Sequence, residues 1–233
     1  MINFFEKYPE VLAVMSERED GSMKLLRGKN LNLENRAIFF RKIRINESKI
    51  ISAEIAQGAA VEIVDVSSLK IIYGADSLIT QEKNVFLSIT VADCVPVYIY
   101  EQEHGIISLI HCGWRGISDG IIENTLRKIM DLGGKAENLK IALGPGINIC
   151  HFEIKEDILD KFSDYPEFII RRDDKISIDL KGIIRKKLAD FNVDLDNIED
   201  NRECTAESDK YFSFRRDKPK IAEAMVAVLG IRK

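Results

Sequence analysis

The sequence predicts an α+β fold, with mixed β-sheets packed against flanking helices in one domain over residues 1–233. Three observations carry this expectation. Short strand-type runs fill the first half of the chain, clear helical periodicity begins only near Ser118, and the two do not alternate as regular βα units. With 45% hydrophobic and 31% charged residues the chain can build a packed core.

Residues 11–15 are a strand-type run, followed by the turn-rich Glu19-Asp20-Gly21-Ser22. Residues 60–66 alternate apolar and polar, as a half-buried strand does. Runs at 85–91 and 95–100 follow, with Ala92-Asp93-Cys94 between them, and a further strand is expected over 105–111. Residues 118–132 place Ile121, Ile122, Leu126, Ile129 and Met130 at helical spacing, and Gly133-Gly134 ends that helix. A short strand over 140–143 leads into Gly144-Pro145-Gly146, and 156–162 and 180–191 are further amphipathic helices. No repeat and no Pro/Gly/Ser-rich linker divides the chain.

Thirty-four Lys and Arg against 38 Asp and Glu give a net charge of −4. A nucleic-acid-reading surface is usually basic, so that class of partner is not expected, although a local pocket for a small anion is compatible with the balance. No apolar run reaches the roughly 18 residues of a membrane span. The opening Met1-Ile2-Asn3-Phe4-Phe5-Glu6-Lys7 lacks the pattern of a signal peptide. The expectation is a soluble, cytoplasmic monomer with four reduced cysteines, Cys94, Cys112, Cys150 and Cys204. Histidine chemistry is confined to His104, His111 and His151.

Cys94 sits at a strand break, after Asp93 and near Pro96, and His111 closes the next strand pattern 17 residues later. If the two strands pair, both ends open on one side of the sheet. A thiolate and an imidazole there suit Zn²⁺ or a Cys–His nucleophile pair. Each is equally well read as a residue of the fold. Gly113-Trp114-Arg115-Gly116 brings backbone N–H groups and a guanidinium together, as an anion cradle does; the plainer reading is a tight turn anchored by Trp114.

The combination is more specific than its parts. In order along the chain stand Ala75-Asp76-Ser77-Leu78-Ile79-Thr80, Val91-Ala92-Asp93-Cys94-Val95-Pro96-Val97, His111-Cys112-Gly113-Trp114-Arg115-Gly116 and Leu143-Gly144-Pro145-Gly146-Ile147 with Phe152-Glu153-Ile154. Asn201-Arg202-Glu203-Cys204-Thr205 and Tyr211-Phe212-Ser213-Phe214-Arg215-Arg216 follow. Ser16-Glu17-Arg18-Glu19-Asp20-Gly21 and Asn30-Leu31-Asn32-Leu33 add weaker matches near the start. This series resembles the laccase-domain family, also called the polyphenol oxidase or multicopper polyphenol oxidoreductase family, over nearly the whole chain.

The resemblance implies a single α+β domain and a mononuclear Zn²⁺ site made by His, Cys and His. It also implies purine nucleoside chemistry: phosphorolysis of adenosine, inosine, guanosine or methylthioadenosine, and adenosine deamination. Some members are linked to editing of peptidoglycan precursors. Carried over by position, Cys94 and His111 match two of the metal ligands, while Gln57, in Ile55-Ala56-Gln57-Gly58, stands where the family's first histidine belongs. A glutamine amide is a poor zinc ligand beside imidazole and thiolate. Cys112 would point away from His111 on an extended strand. The T-G-R that often follows the family's last block is missing after Arg216.

Three functional readings follow. In the first, a purine nucleoside phosphorylase-type transferase takes nucleoside and phosphate, with Cys94, His111, Asp93 and Arg115 as catalytic candidates. Arg18, Asp76, Phe212 and Arg215 are then the substrate-binding candidates. In the second, a metal-free Cys–His hydrolase attacks an amide or amidine bond through Cys94. In the third, a degenerate member binds a nucleotide without catalysis. A literal copper laccase comes last, because one Cys and one or two His near each other cannot furnish a blue-copper site and a trinuclear cluster.

Overall fold

Sheet pairing in the computed structural model, which describes residues 1–25 and 32–233, explains how the strand breaks converge. One six-stranded sheet runs in the order Ile2–Phe4, Val11–Met15, Met225–Ile231, Phe86–Val91, Ile50–Glu54, Ile71–Tyr73. The other runs Ile198–Asp200, Leu139–Leu143, Val95–Glu101, Ile106–Cys112, Ser77–Thr80, Val61–Ile63. Both mix parallel and antiparallel neighbours. A small three-stranded sheet, Glu153–Ile154, Lys175–Ile178 and Ile169–Arg172, lies apart.

The alternation of side chains along each strand sorts the apolar residues into three layers. Leu87, Ile89, Met225 and Ala227 of the first sheet meet Leu78, Tyr98, Leu109 and Ala142 of the second in one buried layer. On the far face of the second sheet, Ile79, Val97, Ile99, Ile110 and Ile141 pack against the Ile121–Asp131 and Leu180–Asp190 helices. Outside the first sheet, Val14, Ile50, Phe86 and Val228 meet Phe39 and Phe40 of the Leu33–Lys42 helix. The order is helix, sheet, sheet, helix, as an α+β chain with two-faced sheets requires. Ile121, Ile122, Leu126 and Ile129 are fully buried, and such a side chain contributes about 1.5–3 kcal/mol.

The helix expected over 118–132 is two helices. Trp114–Ser118 forms first, Gly120 takes a left-handed φ of 88°, and Ile121–Asp131 starts afresh. The run 60–66 shortens to a Val61–Ile63 strand with Glu62 and Ile63 exposed, because it is an edge strand paired only to Ser77–Thr80. Of the Asn30-Leu31-Asn32-Leu33 segment, Asn30 and Leu31 lie outside the described residues.

Candidate active site

Val95–Glu101 and Ile106–Cys112 pair antiparallel, with Pro96 opposite His111 and Val95 opposite Cys112. Continuing that register sets Cys94 opposite Gly113. Cys94, Pro96 and His111 therefore share a face, while Cys112 turns to the other and is buried in the helix-side core. Gly113 leaves the space in which thiol and imidazole meet: a Cβ there would lie 3.2 Å from Cys94 Sγ and 3.3 Å from His111 Cε1. Gly116 is required for a similar reason, since its Cβ would stand 2.6 Å from the Gly58 carbonyl oxygen.

Behind the imidazole, fully buried Asp76 places Oδ1 2.9 Å from His111 Nδ1. The same carboxylate accepts the backbone N–H groups of Ala56 (3.2 Å), Gln57 (2.9 Å) and Gly58 (2.9 Å). Gln57 holds a left-handed φ of 60°, which turns three successive N–H groups onto one acceptor. With Nδ1 committed to Asp76, Nε2 is the nitrogen left free, and the Cys94 thiol lies beside the ring across Gly113. Burial alone would pull the imidazole pKa down. The electrostatic interaction with Cys94 and the hydrogen bond to Asp76 outweigh that and raise it to about 9. At neutral pH His111 holds its second proton.

Cys94 and His111 line a cavity of about 380 Å³, within the range of small-molecule sites. Gln57, Trp114, Arg115, Phe152, Phe214 and Arg215 also line it. The Arg115 guanidinium stacks on Trp114 at 4.3 Å from the ring centroid, and its Nη1 donates to Gln57 Oε1 at 3.2 Å. Arg215 is fixed more firmly: Nη1 and Nη2 donate to the carbonyls of His151 (2.9 Å) and Glu153 (3.0 Å), beside the Phe152 ring.

Asp93 lines the cavity with a left-handed φ of 75°. Its Oδ1 accepts from the Thr205 hydroxyl at 2.7 Å and its Oδ2 from the Arg215 backbone N–H at 2.7 Å. Both Asp93 oxygens are thus engaged by other residues of the protein, as are both oxygens of Asp76. Two expected binding residues are elsewhere. Arg18 Nη1 pairs with Asp217 Oδ2 at 3.4 Å and its guanidinium stacks on Phe212, outside this cavity. Phe212 is buried between the sheets, and Phe214, two residues on and exposed, lines the cavity instead. Lys24 and Glu223 also reach the cavity, and nothing in their local sequence marks them.

The expected zinc set does not fit. Cys94 and His111 are adjacent, but the third position carries an amide oxygen that already accepts from a guanidinium, and a dication there would face Arg115. Among the described residues, no His, Cys, Asp or Glu joins Cys94 and His111 in a group of three with metal-ligand spacing. Groups that could hold a metal ion do occur elsewhere in the molecule.

Similarities to known proteins bear on this arrangement. A purine nucleoside phosphorylase of Bacteroides thetaiotaomicron is 36% identical over 155 residues, covering 63% of this chain and 57% of that protein. The aligned region thus spans little more than half of that relative. A purine nucleoside phosphorylase of Deinococcus radiodurans is 28% identical over 211 residues, 86% of this chain and 82% of that protein. YlmD from Geobacillus stearothermophilus superposes with a TM-score of 0.91 at 24% identity, over 98% of this chain and 94% of its own. The Bacillus licheniformis protein YfiH gives 0.88 at 21% identity, over 97% and 95%; both likenesses concern the fold. Residues 29–231, which hold the Asp76–His111–Cys94 array, match the family described as multi-copper polyphenol oxidoreductase laccase, and the chain belongs to that family.

Proposed function

We propose that this chain is a purine nucleoside phosphorylase-type enzyme, a soluble cytoplasmic protein that takes a free nucleoside and inorganic phosphate. The observation that carries the reading is one cavity lined together by a proton-bearing His111, backed by Asp76, and by Arg115 and Arg215. The names of the two relatives support the same chemistry.

In phosphorolysis a phosphate oxygen bonds to the anomeric carbon of the sugar, the bond from that carbon to the purine breaks, and its electron pair leaves with the base. Arg115 and Arg215 bind and orient the phosphate by charge-assisted hydrogen bonds, converting an encounter of two solutes into a step within one complex. His111 donates the proton on Nε2 to the departing purine, which leaves as a neutral base. The proton lost by the hydrogen phosphate as it becomes an ester restores His111. Asp76 keeps Nδ1–H fixed throughout and stabilises the imidazolium. Phe152 and Phe214, which line the cavity, offer ring faces for the purine. No step needs a resident zinc at Cys94 and His111.

A second reading rests on the same array. Cys94, His111 and Asp76 stand in the order of a nucleophile, its base and the group that orients the base, which suits hydrolysis of an amide or amidine bond. Release of hypoxanthine from inosine, measured with and without phosphate, separates the two. Turnover that requires phosphate supports phosphorolysis, and turnover without phosphate, or deamination of adenosine alone, contradicts it.

A further inference from the structure

Outside the cavity, four ligating side chains from two distant stretches of sequence come together. Cys150 and His151 stand in the loop after Gly144-Pro145-Gly146, and Cys204 and Glu207 in the turn after Asn201. One ligand atom of each lies within 4.8 Å of every other. His151 Nδ1 is 3.1 Å from Cys150 Sγ and 3.6 Å from Cys204 Sγ. Two sulfurs and an imidazole nitrogen placed tetrahedrally around Zn²⁺, at the usual bond lengths of about 2.3 and 2.0 Å, are separated by about 3.5–3.8 Å. The four side chains therefore need only small adjustments to surround one ion. Cys204 is buried, and Cys150 and Glu207 are exposed, so the group opens to solvent on one side.

The backbone around the group is already organised. Gly146 and Cys204 form a parallel bridge, Thr205 N–H donates to the Gly146 carbonyl at 3.0 Å, and Asn148 Nδ2 donates to the Arg202 carbonyl at 2.7 Å. The two loops are held side by side, so little ordering remains when an ion binds. We propose that Cys150, His151, Cys204 and Glu207 form a binding site for a thiophilic divalent cation, Zn²⁺ in the first instance, separate from the Cys94–His111 pair.

The ion replaces the two thiol protons, which leave to solvent, and no electron is transferred. The site joins the loop carrying His151, whose carbonyl accepts from Arg215, to the loop carrying Thr205, whose hydroxyl donates to Asp93. An ion there clamps the wall that presents the Arg215 guanidinium, whatever reaction the cavity performs.

The test is zinc stoichiometry of the reduced protein with Cys94→Ser, which removes the cavity's sulfur ligand, followed by Cys150→Ser in the same background. Cys150 is exposed, so the second change leaves folding intact, and circular dichroism checks this. Retention of one Zn²⁺ per chain by Cys94→Ser, and its loss on adding Cys150→Ser or His151→Ala, is the expected result. With Co²⁺ in place of Zn²⁺, a thiolate charge-transfer band should appear in Cys94→Ser and weaken in the Cys150→Ser double variant. Failure of Cys94→Ser to retain Zn²⁺ or bind Co²⁺ overturns the site, including the case where Cys150 and Cys204 instead form a disulfide on oxidation. Stoichiometric binding that survives both Cys150→Ser and His151→Ala overturns it as well.

Discussion

Asp76 and His111 are joined twice: side chain to side chain at 2.9 Å, and by the His111 backbone N–H donating to the Asp76 carbonyl at 2.7 Å. Because the same carboxylate gathers the N–H groups of Ala56, Gln57 and Gly58, one residue sets both the imidazole and the loop that carries Gln57.

Asp76→Asn separates these duties. The amide keeps one acceptor oxygen and loses the charge, so part of the loop goes unsatisfied and the imidazolium loses its partner. Stability should fall by about 1–3 kcal/mol, the usual range for a buried unsatisfied polar group. kcat should fall far more than the KM for nucleoside, and the alkaline limb of the pH–rate profile should move to lower pH. A profile that keeps its position shows that Asp76 supports only the fold.

The raised His111 pKa has a definite sign. The group binds its proton more tightly in the folded state, with a pKa near 9 against an ordinary value of 6.5. Its stabilising contribution is complete below about pH 6.5 and is lost as pH rises through about 9. Denaturation midpoints measured from pH 6 to 10 should decline across that window, and His111→Gln should flatten the decline.

Arg115 is exposed and held by the Trp114 ring and Gln57. Arg115→Ala should raise the KM for phosphate at least tenfold with little change in Tm, and Arg115→Lys should recover part of the affinity. A Tm drop of many degrees would instead mark Arg115 as a residue of the fold.

Gln57→His places an imidazole beside Cys94 and His111 and removes the amide that accepts from Arg115. His tolerates left-handed backbone better than most residues, so the φ of 60° is no obstacle. In the Cys150→Ser background, zinc affinity should rise by at least tenfold over the Gln57 parent in a competition titration at one pH. Equal affinities would show that position 57 does not complete a ligand set.

How much of this was legible in the sequence depends on range. Asp76, Cys94, His111 and Arg115 lie in short blocks whose strand parity is local, so the sharing of a face by Cys94 and His111 followed from their places near strand ends. Phe212 and Phe214 differ because Tyr211, Phe212 and Ser213 belong to no strand or helix, and no period says which ring turns outward. Arg18 carried a sequence match yet finds Asp217 and Phe212, partners fixed only by how the chain ends pack. The engagement of Asp93 by Thr205 and Arg215 joins residues more than a hundred positions apart, and Lys24 and Glu223 reach the same cavity from near opposite ends of the chain. The α+β class with mixed sheets was legible; the order of the layers, which depends on which strands pair at long range, was not. The Leu33–Lys42 helix was hidden, because its charged residues interrupt the apolar face that Phe39 and Phe40 bury.

The most direct measurement of the proposed activity is the identity of the sugar product. Inosine and inorganic phosphate are incubated with the protein and with His111→Ala, and the reaction is followed by ³¹P NMR. Stoichiometric conversion of phosphate into a sugar 1-phosphate by the native protein, lost in His111→Ala, is the result expected of a phosphorylase that uses His111 as its acid. Free ribose, or inosine left intact beside unchanged phosphate under conditions where the protein is folded, would contradict it.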